Sequence, residues 1–105
     1  MSSPQWKCRN FEAIHNRMPG AEPELRVTGE IECPTPGYRL ELRPHEPQGI
    51  NPADLMLDLL ATAPSGEVPQ VVTWESVSYH EKTDFRYTSV SNMECGLAIN
   101  VRDVS

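Results

Sequence analysis

The sequence predicts an all-β chain: an antiparallel two-sheet sandwich of the immunoglobulin size class with six to seven strands, or alternatively a small β-barrel. Three observations predict it. Apolar and polar residues alternate with period two over several stretches, which puts one face of each in a core. Ten prolines in 105 residues leave room only for short helices. Clusters of turn-forming residues recur every ten to fifteen positions, as they do between short strands.

The cleanest alternation runs from Glu24 to Cys33. Leu25, Val27, Ile31 and Cys33 share one parity with Gly29, while Arg26, Thr28, Glu30 and Glu32 share the other. Tyr38, Leu40 and Leu42 repeat the pattern against Arg39, Glu41 and Arg43. The intervening Pro34-Thr35-Pro36-Gly37 reads as a tight turn, so these two strands are expected to pair. Arg39 and Arg43 would then offset Glu30 and Glu32 on the solvent face.

Elsewhere the pattern is less regular. Residues 1–5 read as a loose tail of a single domain. In "WKCRNFEAIHNR", Trp6 and Cys8 lie on one side, then Phe11 and Ala13 switch parity; a bulged strand fits this better than a short helix. "RPHEPQGINPAD" is a broken polar loop. In "DLMLDLLATAP", Asn51 and Asp54 offer helix-capping chemistry, but Leu55, Leu57 and Leu59 alternate and Pro64 follows, which favours a strand. "VVTWESVSYH" is rich in strand-forming residues, and its apolar parity changes, which places a bulge near Glu75. Met93, Cys95, Leu97, Ile99 and Val101 form five alternate apolar positions that Gly96 bends or divides. The immunoglobulin hallmark is missing, because Trp74 lies much nearer Cys95 than Cys33.

Charge and motifs narrow the function. A net charge of −6, without a basic stripe, argues against nucleic acid and anionic membranes. No apolar run is long enough for a helical membrane span. The first twenty residues lack the apolar segment of a signal peptide, and three cysteines are an odd number. Together these predict a soluble cytoplasmic protein with three buried thiols. The alternatives are a Cys33–Cys95 bridge and, if a leader has been removed, export.

Cys8, His15, Cys33, His45, His80 and Cys95 are all isolated in sequence, unlike zinc ligands, so no metal or cofactor is expected. No G-x-S-x-G elbow occurs, and Ser65-Gly66 belongs to a turn. Glu32 and Glu94 beside Cys33 and Cys95 oppose thiolate formation. Glu30 and Glu32 lie on a solvent face, and Asp58 within "LMLDLL" faces outward or guards an edge. An enzyme is therefore not expected.

"GYRLELRP" at Gly37–Pro44, the strand from Leu55 to Thr62 and "VPQVVT" at Val68–Thr73 resemble the C-terminal domain of bacterial protease-complex subunits of the dentilisin-associated type. Gly37, Tyr38, Leu40, Leu42, Gln70 and Thr73 carry the resemblance; Trp74-Glu75 stands where that family has Pro-Tyr. The resemblance implies a β-sandwich that holds another protein, and it implies no catalytic residue. The sequence thus predicts a non-enzymatic module that binds a protein partner or forms a homodimer. Trp6, Trp74, Tyr79 and Phe85 are its candidate interface aromatics. The alternative is a small-ligand carrier with a cavity lined by Trp74, Met93 and Leu97.

Overall fold

In the computed structural model, which describes residues 6–104, seven strands account for all the regular structure. They are β1 (Cys8–Asn16), β2 (Glu24–Cys33), β3 (Arg39–Pro44), β4 (Asp54–Thr62), β5 (Thr73–Lys82), β6 (Ser89–Asn92) and β7 (Leu97–Val104). The expected tail at residues 1–5 lies outside the described residues. No helix among the described residues is long and apolar enough to cross a membrane.

The strands form one sheet in the order β3-β4-β6-β7-β1-β2-β5, and its edges β3 and β5 approach each other, so the sheet nearly closes into a barrel. At that seam the Thr73 hydroxyl donates to the Thr35 carbonyl at 3.4 Å. The all-β expectation and its small-barrel form describe this arrangement. The sheet is mixed rather than wholly antiparallel, because β4 pairs with β6 and β1 with β7 in parallel. β7 is the corner piece. Its first half, Leu97–Asn100, pairs with β6, and its second half, Val101–Val104, pairs with β1. A strand that changes partners midway lets one sheet turn through a corner.

Inward parity follows the sequence closely. Leu25, Val27, Ile31 and Cys33 of β2 join Leu55, Leu57 and Leu59 of β4, with Ala13, Leu42, Val77 and Val90, in one apolar core. The parity switch in β1 is a bulge. Cys8 and Arg9 pair with Ile31 and Glu30, Glu12 pairs with Thr28, and Asn10 and Phe11 together face Gly29. Asn10 takes the left-handed conformation (φ 57°) that such a bulge requires and that Asn tolerates better than most side chains. The extra residue brings both Cys8 and Phe11 to the inner side.

Four expectations are corrected. β2 does not pair with β3; its neighbours are β1 and β5. Pro34 and Pro36 fix φ near −65° and lack N–H groups, so they cannot build the positive-φ hairpin turn that adjacent antiparallel strands favour. Gly37 (φ 93°) instead redirects the chain to the far edge. Arg39 and Arg43 therefore face Thr62 and Asp58, and Arg9 rather than an arginine of β3 pairs with Glu30.

The bulge expected near Glu75 is absent, since β5 pairs with β2 in unbroken register from Thr73–Cys33 to Lys82–Glu24. The apparent parity switch came from Val71 and Val72, which precede the strand and are exposed. The run from Met93 to Val101 does divide at Gly96. Met93–Gly96 form a turn closed by a Gly96 N–H to Met93 carbonyl bond at 3.1 Å, with Met93 74% exposed and Val90 taking the core position. The fourth correction concerns cysteine. Cys8 and Cys95 form a disulfide with Cα atoms 5.7 Å apart, while Cys33 is a buried free thiol.

Candidate functional site

The β1–β2, β3–β4 and β5–β6 connections share one end of the barrel. β1, β5 and β7 finish there, and β2, β4 and β6 begin there. The β5–β6 connection, residues 83–88, is fastened by side chains. His15 of β1 is fully buried, and one ring nitrogen, Nε2, lies 2.8 Å from the Thr83 carbonyl. A carbonyl only accepts, so the proton of that bond sits on Nε2. The other nitrogen, Nδ1, has no hydrogen-bond partner and lies 3.7 Å from Asp103 Oδ1. The Thr83 N–H donates to Pro23, and the Thr83 hydroxyl accepts from the Phe85 N–H at 3.1 Å.

Above this anchor, Glu81 accepts two phenols, Tyr79 at 2.6 Å and Tyr87 at 3.2 Å. Burial, followed by the bond to Glu81 and its charge, pushes Tyr79 far above the usual phenol range. Tyr87 is raised by burial and then by the Glu81 charge and bond. Both remain neutral donors. Phe85 packs edge-on against Tyr87 (centroids 4.8 Å apart) yet is 45% exposed. On the adjoining loops Ile50 is wholly exposed and Met18 half-exposed. The Ile50 loop is held by Gln48, whose side chain bonds both N–H and carbonyl of Met56 and the carbonyl of His45. This end therefore presents three apolar side chains on braced loops.

The four candidate aromatics do not form one surface. Tyr79 and Phe85 converge through Tyr87 and Glu81. Trp6 lies toward the opposite end, edge-on to Tyr38 at 5.8 Å. Trp74 stands on the outward parity of β5, opposite Glu32, with the Arg9 guanidinium 3.9 Å from its ring centroid. Of the residues expected to line a carrier cavity, Trp74 faces outward and Met93 is exposed.

The histidines are dispersed: His45 bonds Asp58 at 2.9 Å, and His80 lies 3.7 Å from Glu24. Among the described residues no three metal-ligating side chains cluster. Burial and then the charge of Glu75 push the Cys33 thiol up, which makes it a poor nucleophile. Asp54 accepts the hydroxyls of Ser89 and Ser91 at 2.7 and 2.9 Å, a structural tie between β4 and β6.

Sequence reasoning missed Tyr87, Glu81 and Asn10. Tyr87 lies in a short polar segment without periodicity, and Glu81 reads as part of a solvent turn. The parity switch after Cys8 did signal the bulge, but not which residue takes positive φ. No protein-family model, curated protein or solved structure matches this chain.

Proposed function

We propose that this chain is a non-enzymatic β-barrel module that binds a protein partner or a second copy of itself through the loop end bearing Phe85. The observation that carries the reading is the exposure of Met18, Ile50 and Phe85 on three braced loops at one end. Aromatic and aliphatic side chains held rigidly at a surface lose little entropy on docking and serve as interface anchors. The apolar core shared by the strands supports a surface function over an internal carrier. The Cys8–Cys95 disulfide supports the exported alternative for location, since such bonds persist in oxidising compartments.

A photo-crosslinking amino acid at position 85 or 50, with position 41 on β3 as control, tests the reading in the native host. The expected outcome is a defined product from 85 and 50 but not 41. Mass spectrometry then identifies it as a second copy or another protein. Absence of product at both loop positions, with a strict monomer by light scattering at high concentration, refutes it.

A further inference from the structure

The outer face of β1, β2 and β5 carries a feature that the loop-end reading does not use. Four cross-strand pairs stack along β2 and β5: Glu32–Trp74, Glu30–Ser76, Thr28–Ser78 and Arg26–His80. The outer pairs are tall and the inner ones short, apart from Glu30, so Thr28, Ser76 and Ser78 floor a trough. Its central part has a volume of about 340 Å³, lined by Asn10, Thr28, Gly29, Glu30, Ser76 and Ser78 together with Val77. That volume is at the small end of ligand sites. From Trp74 to His80 is six residues of strand, about 20 Å at ~3.3 Å per residue.

The bulge of β1 forms one wall and aims Asn10 into the trough. Asn10 Nδ2 donates to Glu30 Oε1 at 2.7 Å, and Arg9 Nε donates to the same oxygen at 3.1 Å. The Asn10 bond, then the Arg9 bond, hold the Glu30 carboxyl below the usual carboxylate range. Its second oxygen, Oε2, takes no hydrogen bond among the described residues. Nor do the hydroxyls of Thr28, Ser76 and Ser78 bond within the described protein. A non-glycine residue at positive φ beside a concave surface is a conformation that functional sites often retain.

We infer that this trough binds a short oligosaccharide. The lining offers hydroxyl donors and acceptors, an amide and an ionised carboxylate along an open strip, which matches a ligand bearing hydroxyls on both edges. Trp74 borders the strip at one end, with one face of its ring covered by the Arg9 guanidinium at 3.9 Å. An anionic ligand fits less well, because Arg9 is paired with Glu30, Arg26 with Glu24, and the chain carries a net charge of −6. The site lies on the sheet face and is independent of the Phe85 loop end.

The test is an NMR titration of the 15N-labelled chain with cellotriose, maltotriose, xylotriose and triacetylchitotriose. At least one sugar should shift the amides of Asn10, Thr28–Glu30 and Ser76–Ser78, with a Kd of about 1 mM, within reach of a small open site. Ser76→Lys, which fills the trough from an exposed position, should weaken that binding at least ~10-fold while leaving the remaining spectrum in place. The inference is overturned if none of the four sugars shifts these amides at about 10 mM, ten times the expected Kd. It is also overturned if glycerol at equal concentration shifts them as much, or if binding survives Ser76→Lys unchanged.

Discussion

Gly29 is the position where a single methyl group tests the packing of the bulge. A Cβ built there would lie 2.4 Å from Phe11 Cδ2 and Cε2 and 2.5 Å from Cγ. Carbon atoms rest at about 3.5–4.0 Å, so the ring must retreat by roughly 1 Å or more. Because Cγ itself is within the clash, spinning the ring about its axis does not relieve it. The ring would have to carry the bulge with it or leave the core.

Overpacking of this kind costs about 1–3 kcal/mol, offset by ~0.5–1 kcal/mol because alanine loses less backbone entropy than glycine. Gly29→Ala should therefore destabilise the chain by about 1–2 kcal/mol net, which lowers Tm by about 5–15 °C at this size. Urea unfolding should show a lower midpoint at unchanged slope. In a Phe11→Ala background the same change should be neutral or stabilising by ~0.5 kcal/mol, giving a coupling of about 2 kcal/mol. An equal penalty in both backgrounds, or a wild-type midpoint for Gly29→Ala, refutes the close approach of ring and strand.

Two further outcomes follow from the covalent and titratable groups. The denatured, unreduced chain should show one reactive thiol, Cys33, and three after reduction; three before reduction would contradict the Cys8–Cys95 bond. Cys8→Ala should cost about 2–5 kcal/mol, since the bond closes 87 residues of sequence separation. In an alkaline titration followed by tyrosinate absorbance, Tyr79 and Tyr87 should stay protonated beyond the ordinary phenol range near 10. A phenol with a raised folded pKa lends its full stability below the unfolded value of about 10 and loses it as pH rises through the folded value. Stability should thus fall on the alkaline side, and Glu81→Gln should lessen that fall.

Local chemistry written in the sequence became local structure almost unchanged. β2 spans the stretch from Glu24 to Cys33 read from alternation, β4 begins one residue before Leu55, and the parity switch after Cys8 is the bulge. Period-two burial depends only on strand geometry and the need to hide one face, so it is visible in one dimension. The errors are all non-local or arise where a segment leaves the ladder. Val71 and Val72 imitate a parity switch because nothing in sequence marks them as lying before the strand.

What the sequence by itself determined is therefore the all-β class and the inward set of each regular strand. Tertiary structure alone decided which strands are neighbours. The Pro34–Gly37 segment looks like a hairpin turn, yet β2 and β3 end on opposite sides of the order, and two ladders are parallel. It also decided the cysteine partner and both candidate surfaces. Cys8 and Cys95 are as far apart in sequence as the chain nearly allows, and Asn10, Thr28 and Ser76 come from three strands. Such contacts are fixed by closing the sheet around one shared core, a condition that no single segment encodes.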